Sequence, residues 1–387
     1  MAEEKAHVCV VGAGVLGLTA ARELAARGVD VTVLDAEGAF AGASHRSFAW
    51  VNANNKPPHA YHRLNVAGMA EHDRLQDELG GHWFHRSGAV LAAFDGTPRH
   101  RAEFTAGRLS RLRTEDYPVE PVGGEDLARL EPAVHWPEEL GEALYLPDEG
   151  YLDTDLFAAG LVADLADRGV TVQKGLVTHV AAGQGSAEVI LDDGTTLDPD
   201  VVVIAAGAAS RRFGLPVADL AAPVGPTERT HSFLGLTDPT EVDLGRVVIS
   251  DRINVRPRHD RRLWVQLPPV EHRVAEGEAV LPEIRRLMEG ELAELFGVAV
   301  PVATVYLSGR SLPEDGFPLV GFTDASRQVY SLVTHSGMTL SALLGRLAAE
   351  EITGRITGAE AGMLDPFRPD RPTGGEPAAS TPFIGRQ

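Results

Sequence analysis

Residues 7–36, near the start of the chain, constrain the fold more than any other segment. They read HVCVVGAGVLGLTAARELAARGVDVTVLDA. An apolar run of residues 8–11 leads into a glycine-rich turn, a helical pattern continues to Gly28, and a second apolar run covers residues 29–34. Strand, tight turn, helix and strand in this order predict a Rossmann-like βαβ unit, and such a unit requires a parallel sheet.

The turn has the pattern G-x-G-x-x-G, and the acid Asp35 follows the second apolar run. Gly12 permits the tight turn, Gly14 lets the backbone approach a pyrophosphate, and Gly17 lets the helix pack closely against the strand. The N-terminus of the helix offers N–H groups and a positive dipole end to phosphates. Asp35 is placed to accept hydrogen bonds from ribose hydroxyls. The motif predicts a dinucleotide site and leaves open whether the dinucleotide is NAD or FAD.

The overall composition is that of an acidic globular protein. A chain of 387 residues is long for one hydrophobic core, so we expect two domains. The formal net charge of −20 argues against nucleic acid and anionic membrane surfaces as partners. No apolar run approaches the ~20 residues of a membrane span, and the first residues lack the regions of a signal peptide. These features predict a cytoplasmic protein.

Metal and disulfide chemistry find little support in the sequence. Cys9 is the single cysteine and lies inside the first predicted strand, where we interpret it as a small core residue. One cysteine excludes an internal disulfide, a two-cysteine redox pair and a cysteine zinc cluster. His59, Tyr61 and His62 precede a predicted helix, but their spacing fixes no ligand geometry. We interpret them as helix-start and surface residues and predict no metal site.

Apolar runs distributed along the chain indicate how it is organised. Residues 8–11, 201–206 and 328–333 are typical of parallel strands buried on both faces. Alternating stretches at 253–258 and 262–267 predict an antiparallel sheet with one packed and one open face. We therefore predict an α/β fold with a discontinuous Rossmann-like dinucleotide-binding domain, an inserted mixed or antiparallel-sheet substrate domain and a tail. The dinucleotide-binding domain comprises residues 1–79, 146–222 and 306–364. The substrate domain comprises residues 80–145 and 223–305. The tail, residues 365–387, is rich in proline and is predicted to be extended or disordered.

Two segments carry local signals. Residues 38–55 are rich in Gly, Ala, Ser and Asn, which predicts a long loop anchored by Phe48, Trp50 and Val51. Asp153 precedes a helical pattern and is a residue type that caps helix N-termini.

Four groups of motifs, spread over nearly the whole chain, carry a family resemblance. They are the N-terminal turn with Asp35, the loop GASHRS at 42–47, the pair PDEGYLD at 147–153 and VVVIAAG at 201–207, and the pair GRSLPEDGFP at 309–318 and HSGMTL at 335–340. In their order and spacing they resemble the FAD-dependent D-amino-acid oxidase superfamily, which includes glycine oxidase, sarcosine oxidase and D-amino-acid dehydrogenase-like enzymes.

The resemblance implies FAD rather than NAD. In this family the segment equivalent to 175–177 holds the adenine through backbone groups, and the start of the last helix lies beside the pyrimidine edge of the flavin. A helix N-terminus there would stabilise the negative charge of reduced flavin. The resemblance implies the following FAD-binding residues: Gly12, Gly14, Val15, Leu16, Gly17, Asp35, Ala36, Ser44, His45, Arg46, Ser47, Val177, Ala206, Gly207, Gly309, Arg310, Gly337, Met338 and Thr339.

The resemblance also raises the question of a covalent flavin link. Several relatives attach flavin through a C-terminal cysteine, which this chain lacks because Cys9 lies at the other end. Other relatives use an N-terminal histidine, and His45 is offset by one residue from that position. We therefore expect non-covalent FAD.

The chemistry implied by the resemblance is oxidation of the C–N bond of an amino acid or secondary amine to an imine, by hydride transfer to flavin. The protein must orient the substrate and bind its carboxylate, and arginine does this best through its bidentate fork. Arg310 matches a family position near the flavin, and Arg256 lies in a strand that could line the cavity. His335 stands where glycine oxidase-like members place an arginine, and is a candidate for substrate contact or packing.

Lysine is scarce in this chain, which contains only Lys5, Lys56 and Lys174. Some relatives place a lysine over the flavin to promote reaction with oxygen, and Lys56, after the flavin loop, is the candidate here. The electron acceptor, oxygen or another molecule, stays open, as do the identity of the amine and the oligomeric state.

The sequence leaves three alternatives to amine oxidation open. The first is a flavin-dependent hydroxylase or another FAD oxidoreductase that acts on a non-amine substrate. The hydroxylases share the N-terminal motif but carry a G-D-A-A-H-like motif late in the chain, where this protein has GFPLVG at 316–321. An NAD(P)-dependent dehydrogenase would not need the C-terminal motifs. A flavoprotein without catalytic function would lack a pocket for an amine.

Overall fold

The structure is a computed structural model that describes residues 6–220 and 225–372. Its strands are β1 (His7–Val11), β2 (Asp30–Asp35), β3 (Trp50–Val51), β4 (Phe84–His85), β5 (Ala89–Ala92), β6 (Glu120–Gly123), β7 (Glu142–Leu146), β8 (Gly150–Leu152), β9 (Val172–Lys174), β10 (Val177–Ala182), β11 (Ala187–Leu191), β12 (Thr196–Leu197), β13 (Val201–Ile204), β14 (His231–Thr237), β15 (Val247–Ser250), β16 (Asn254–Pro257), β17 (Leu263–Gln266), β18 (Val302–Gly309), β19 (Leu319–Phe322) and β20 (Val329–Val333). Its α-helices are α1 (Val15–Ala26), α2 (His59–Leu79), α3 (Pro98–Thr114), α4 (Glu125–Leu130), α5 (Thr154–Asp167), α6 (Leu281–Phe296), α7 (Gly337–Ile352) and α8 (Gly358–Leu364).

A six-stranded sheet with the order β19-β20-β13-β1-β2-β9 forms the first layer. The central strand β1 pairs in parallel with both neighbours, so that Val10 lies opposite Val33 on one side and Val203 on the other. Only the edge strand β19 runs antiparallel. Cys9 is fully buried within this sheet, which raises the pKa of its thiol to about 12. The predicted α/β class and the parallel βαβ unit are confirmed.

The helices α1 and α7 pack against each other on one face of this sheet. Leu18, Leu344 and Leu347 are fully buried there. The approach is close because position 345 is glycine: a Cβ at Gly345 would lie 2.8 Å from atoms of Thr19. This packing brings the N-termini of both helices to the same end of the sheet.

An eight-stranded sheet with the order β18-β14-β17-β16-β15-β5-β7-β6 forms the second large layer. All of its neighbours pair antiparallel except β15 and β5, which run parallel. One face packs against α6 through residues such as Val255, Val265 and Met288. The division of the chain into domains stays a prediction, and two of its boundaries, at 145–146 and 305–306, fall inside strands β7 and β18 of this sheet.

The prediction that this sheet has an open face is wrong for β16 and β17. Their register places Asn254 opposite Gln266 and Arg256 opposite Trp264, on the face away from α6. All four side chains are buried. This second face of β16 and β17 is therefore covered by other parts of the chain. The alternation of polar and apolar residues in these two strands indicates a buried polar surface and not a solvent-exposed one.

The C-terminal segment is also more ordered than predicted, as far as it is described. Residues Asp365–Phe367 form a 3-10 turn, and Phe367 is buried. Arg371 donates hydrogen bonds to the carboxylate of Asp315 at 2.8 and 2.9 Å, and Arg368 pairs with Glu351 at 2.8 Å. These contacts hold residues 365–372 against the six-stranded sheet, while residues 373–387 lie outside the described part.

Candidate active site

The two large sheets enclose a cleft with a volume of about 670 Å³, which is within the ~300–1,000 Å³ usual for small-molecule sites. It begins at the carboxyl ends of β1, β2 and β13 and continues along β14, β17 and β18 of the second sheet. The starts of α1 and α7 also border it. Ligands of open parallel sheets bind at this edge, because the strand ends and helix N-termini present backbone groups there.

The glycine-rich turn has the geometry that its sequence predicts. Gly12 has φ +107°, and a Cβ at this position would lie 2.4 Å from the carbonyl oxygen of Ala205. A Cβ at Gly17 would lie 1.8 Å from the carbonyl oxygen of Gly12. Gly14 lines the cleft, where a Cβ would come within 3.1 Å of the Ser44 hydroxyl. Gly12 and Gly17 thus allow backbone segments to pack closely against each other, and Gly14 leaves the start of α1 accessible from the cleft.

Asp35 ends β2 at the same edge. Its Oδ2 accepts a hydrogen bond from the backbone N–H of Ala13 at 2.8 Å, and Oδ1 accepts from those of Glu37 and Gly38 at 2.9 and 2.8 Å. These bonds hold the carboxylate at the margin of the cleft.

The predicted loop at 38–55 forms one wall of the cleft and contains the short strand β3. Its predicted anchors Phe48, Trp50 and Val51 are buried. Ser44 accepts a hydrogen bond from the N–H of Val15 at 3.0 Å, which ties the loop to the start of α1. Anchored at both places, the loop has a fixed position over the cleft.

Most residues that the resemblance assigned to FAD line this one cleft. They are Gly12, Gly14, Val15, Leu16, Asp35, Ala36, Ser44, Arg46, Ser47, Val177, Ala206, Gly207, Gly309, Arg310, Gly337, Met338 and Thr339. Gly17 lies beneath the turn and contacts Gly12 instead. His45 is exposed and does not belong to the lining. The structure therefore brings together segments that are more than 300 residues apart in sequence.

Three of the four catalytic candidates, Lys56, Arg310 and His335, also line the cleft. The Lys56 Nζ donates a hydrogen bond to the Ser336 hydroxyl at 3.1 Å. Burial lowers the pKa of Lys56 to about 8, although the charge of Glu149 opposes this shift. Burial and, to a lesser degree, the charges of Lys56 and Arg310 lower the pKa of His335 to about 3, so its imidazole is neutral at pH 7.

Arg310 contributes the permanent positive charge of this group. Its guanidinium is mostly buried, with 16% of the side chain exposed, and its Nη2 lies 3.4 Å from Oε1 of Glu271. Its backbone N–H donates to the carbonyl of Thr230 at 2.7 Å, which fixes the chain at the end of β18. The ion pair is long, so the guanidinium retains donor capacity toward the cleft.

The fourth candidate, Arg256, lies elsewhere than predicted. Its side chain is fully buried, does not line the cleft, and donates hydrogen bonds to the carbonyl oxygens of Phe48 and Pro257. Its guanidinium lies 3.7 Å from the buried carboxylate of Asp153 and over the ring of Tyr151. Arg256 supports the cleft wall from behind, since Phe48 is part of that wall.

Asp153 occupies the N-cap position of α5, but its side chain makes no capping hydrogen bond. Its carboxylate accepts from His85 and from the backbone of His259 instead. Asp153, Asp155 and His259 converge within 4.8 Å, yet the two carboxylates already face Arg256 and Arg258. This cluster is accounted for by ion pairing.

We predict that Arg256→Met lowers the free energy of unfolding by about 3–5 kcal/mol, because it leaves the buried Asp153 carboxylate without its cation. The preference for an amino acid over the corresponding decarboxylated amine should not change. Denaturant unfolding monitored by circular dichroism measures the first quantity. Arg261→Met is the control: Arg261 is 60% exposed in its side chain, so the loss should stay below ~1 kcal/mol. An Arg256 variant with native stability would contradict the assignment.

Several lining residues had no signal in the sequence. Ser232 on β14, Gln266 on β17 and Ser308 on β18 belong to the antiparallel sheet, and only its register shows which side chains face the cleft. Tyr61 and His62 were predicted at the surface, but both are buried. Their position is decided by the packing of α2 against α7.

The fold combines a parallel sheet, which carries a glycine-rich turn at its carboxyl edge, with a second sheet across a shared cleft. This arrangement is that of a dinucleotide-dependent oxidoreductase. The family model described as FAD dependent oxidoreductase matches residues 7–351. The chain belongs to this family, and its cofactor is therefore FAD. The cleft fits this assignment, because Gly12 and Gly14 leave the start of α1 accessible and Asp35 lies at the neighbouring strand end.

Individual relatives agree with the family. A D-amino acid dehydrogenase of Methylobacterium sp. (strain 4-46) is 25% identical over 410 aligned residues, covering 90% of this chain and 96% of that protein. The structure of glycine oxidase from Geobacillus kaustophilus matches with a TM-score of 0.79 and 21% identity, over 95% of this chain and 100% of that one. Iminodiacetate oxidase from Chelativorans sp. BNC1 matches with a TM-score of 0.74 and 22% identity, over 94% and 98%. These structures share the fold.

The helices of the described residues include none with the length and hydropathy required to span a membrane.

Proposed function

We propose that this FAD-dependent oxidoreductase oxidises the C–N bond of an amino acid or secondary amine to an imine. The observation that carries the proposal is the convergence of Arg310, His335 and Lys56 in the cleft, beside the start of α7. The names of the relatives point in the same direction, since a D-amino acid dehydrogenase, a glycine oxidase and an iminodiacetate oxidase all act on amino acids.

FAD, when bound, supplies the acceptor for the two electrons and the hydrogen that leave the substrate carbon. Gly12, Gly14 and Asp35 would hold its adenosine and pyrophosphate, and residues 337–339 at the start of α7 would lie beside its ring system. The positive end of the α7 dipole favours negative charge at that place. We propose that binding is non-covalent, which agrees with the exposed position of His45 outside the cleft lining.

Arg310 would bind the substrate carboxylate. The guanidinium is the one permanent cation among the three side chains, and its planar fork suits a bidentate contact with a carboxylate. The ion pair with Glu271 at 3.4 Å would orient it without saturating its donors. The neutral ring of His335 would contact the substrate as a hydrogen-bonding or packing surface, because its Nδ1 is buried and has no hydrogen-bond partner in the described structure.

The purified protein should be yellow, with the absorption bands of oxidised flavin. Anaerobic addition of an amine panel should bleach these bands for at least one member; the panel comprises D-amino acids, glycine, sarcosine, N-methyl amino acids and cyclic imino acids. The colour should move to the supernatant when the protein is precipitated with acid, as expected for non-covalent FAD. Absence of bleaching by the whole panel would overturn amine oxidation but not FAD binding.

A further inference from the structure

Lys56 is held in an unusual place for an amine side chain. It is buried at the cleft wall, and its Nζ donates to the hydroxyl of Ser336 at 3.1 Å. The same hydroxyl is hydrogen-bonded to Tyr61 at 2.7 Å. Ser336 directly precedes α7, so the lysine lies next to the helix N-terminus that borders the cleft. A buried lysine at such a position readily changes its protonation state, because burial disfavours the ammonium form.

The loop that carries Lys56 is fixed by a buried carboxylate. Glu149 accepts hydrogen bonds from the backbone N–H groups of Ala53 and Asn54 at 3.2 and 3.1 Å, and from the Asn54 side chain at 3.0 Å. The hydroxyl of Tyr117 donates to it at 3.0 Å. Arg108 donates to the side-chain oxygen of Asn54. Glu149 therefore serves as the anchor for the segment that ends at Lys56.

The charged and titratable groups around Lys56 come from four parts of the chain. Glu149 contributes a negative charge from behind the loop, whereas Arg310 contributes a positive charge from β18. His335 interacts with both Lys56 and Arg310 and is neutral. Tyr61 on α2 keeps its proton, because burial raises its pKa. Burial also raises the pKa of Glu149 to about 7. Glu149 and Lys56 can therefore both exchange a proton near neutral pH, and of these two only Lys56 lines the cleft.

An amine reaches the enzyme mainly as its ammonium ion and must lose a proton before its C–N bond can be oxidised. The imidazole of His335 is too weak a base for this, since its pKa is about 3. Glu149 lies behind the loop, where at least four donors already occupy its oxygens. Lys56 lines the cleft itself.

We propose that the neutral amine of Lys56 accepts the proton of the substrate ammonium group, and that Glu149 positions Lys56 for this transfer and helps to set its charge. The N–H bond of the substrate ammonium breaks, its electron pair stays on the substrate nitrogen, and a new N–H bond forms on Nζ. A neutral amine and a lysine ammonium result, with no change in oxidation state. This proposal rests on the proposed amine oxidation and names a catalytic residue and a positioning residue for it.

The first test measures the charge of Lys56 without turnover. Because the chain has only three lysines, FAD-loaded protein labelled with 13C at the lysine ε-carbons should give few signals, and the signal absent from Lys56→Met belongs to Lys56. We expect this signal to titrate near pH 8 in the wild type. In Glu149→Gln its midpoint should fall by ~1 unit, because loss of the negative charge destabilises the ammonium. A Lys56 midpoint near 10, or one that does not move in Glu149→Gln, would overturn the proposal.

The second test measures the pH dependence of flavin reduction by the panel amine that bleaches the wild type fastest. The limiting rate of the wild type should fall on the acidic side of the Lys56 midpoint. At pH 8 the rate of Lys56→Met should be ~10²–10⁴-fold lower than that of the wild type. With increasing pH the rate of this variant should continue to rise until the pH reaches the pKa of the amine itself. Lys56→Arg should not restore it, because a guanidinium stays protonated, whereas a purely structural cation would be restored by arginine.

Lys174→Met is the matched control, since Lys174 is exposed on β9 and does not line the cleft. Its flavin content, melting temperature and pH profile should equal those of the wild type. If no amine bleaches the wild type, the proposed function fails. If amines bleach it and Lys56→Met keeps the wild-type pH profile, only the role of Lys56 fails. The variants Lys56→Met and Lys56→Arg test the role of Lys56 even if Glu149→Gln does not fold.

Discussion

Gly12→Ala is expected to yield a protein without bound FAD. Gly12 has φ +107°, and its substituent would lie 2.4 Å from the backbone oxygen of Ala205. The backbone conformation alone costs a non-glycine residue about 1–3 kcal/mol, and the contact forces β1 and β13 apart at the site where phosphate is expected to bind. The ratio of flavin absorbance to protein absorbance in the purified variant measures the effect.

Gly107→Ala is the control for this experiment. Gly107 lies in α3 and is exposed, and no atom of residues 6–220 or 225–372 lies within 4 Å of an added Cβ. Its replacement should keep full FAD content and stabilise the helix by about 0.5–1 kcal/mol. A Gly12→Ala protein that is as yellow as Gly107→Ala would show that the turn does not determine FAD binding.

Arg310→Met is expected to weaken binding of an amino-acid substrate by about 10- to 150-fold, the effect of losing ~1.5–3 kcal/mol of charge-assisted hydrogen bonds. The decarboxylated counterpart of that substrate should bind equally well to both proteins, because it has no group for Arg310 to hold. The concentration dependence of the rate of anaerobic flavin reduction gives the dissociation constant of each ligand that reduces the flavin. For a ligand that does not reduce it, titration of the flavin absorbance gives this constant.

The control for Arg310 is Arg99→Met on the surface of α3, where 87% of the Arg99 side chain is exposed. It should leave both affinities unchanged. Equal losses for the amino acid and for its decarboxylated counterpart in Arg310→Met would assign Arg310 to the general shape of the cleft instead of the carboxylate.

Much of the cofactor side of the cleft could be predicted from the sequence. The glycine-rich turn and Asp35 are specified by local rules, since backbone conformation and strand–turn–helix order depend on residues close in sequence. The motifs at 201–207 and 335–340 were tied to the same cofactor through a family resemblance, and their residues line the same cleft. The loop at 38–55 was predicted with its anchors because large apolar side chains in a glycine-rich segment need a core to pack against.

The substrate side could be predicted only in part. The sequence alone does not distinguish Arg256 from Arg310, since each is an arginine in or directly after a strand of the second sheet. Register and burial separate them, because Arg256 faces Asp153 and the carbonyl of Phe48, whereas Arg310 faces the cleft. No local pattern contains that information.

The sequence by itself determined the βαβ unit, the dinucleotide turn and the return of the chain to its first sheet, because these depend on short-range backbone geometry and hydrophobic periodicity. Only the tertiary structure decided which charges meet. Lys56, Glu149 and His335 are separated by about 90 to 280 positions in sequence, and their electrostatic coupling depends on distance and burial in space. Long-range packing therefore fixed the chemistry of the cleft, while local sequence fixed its framework.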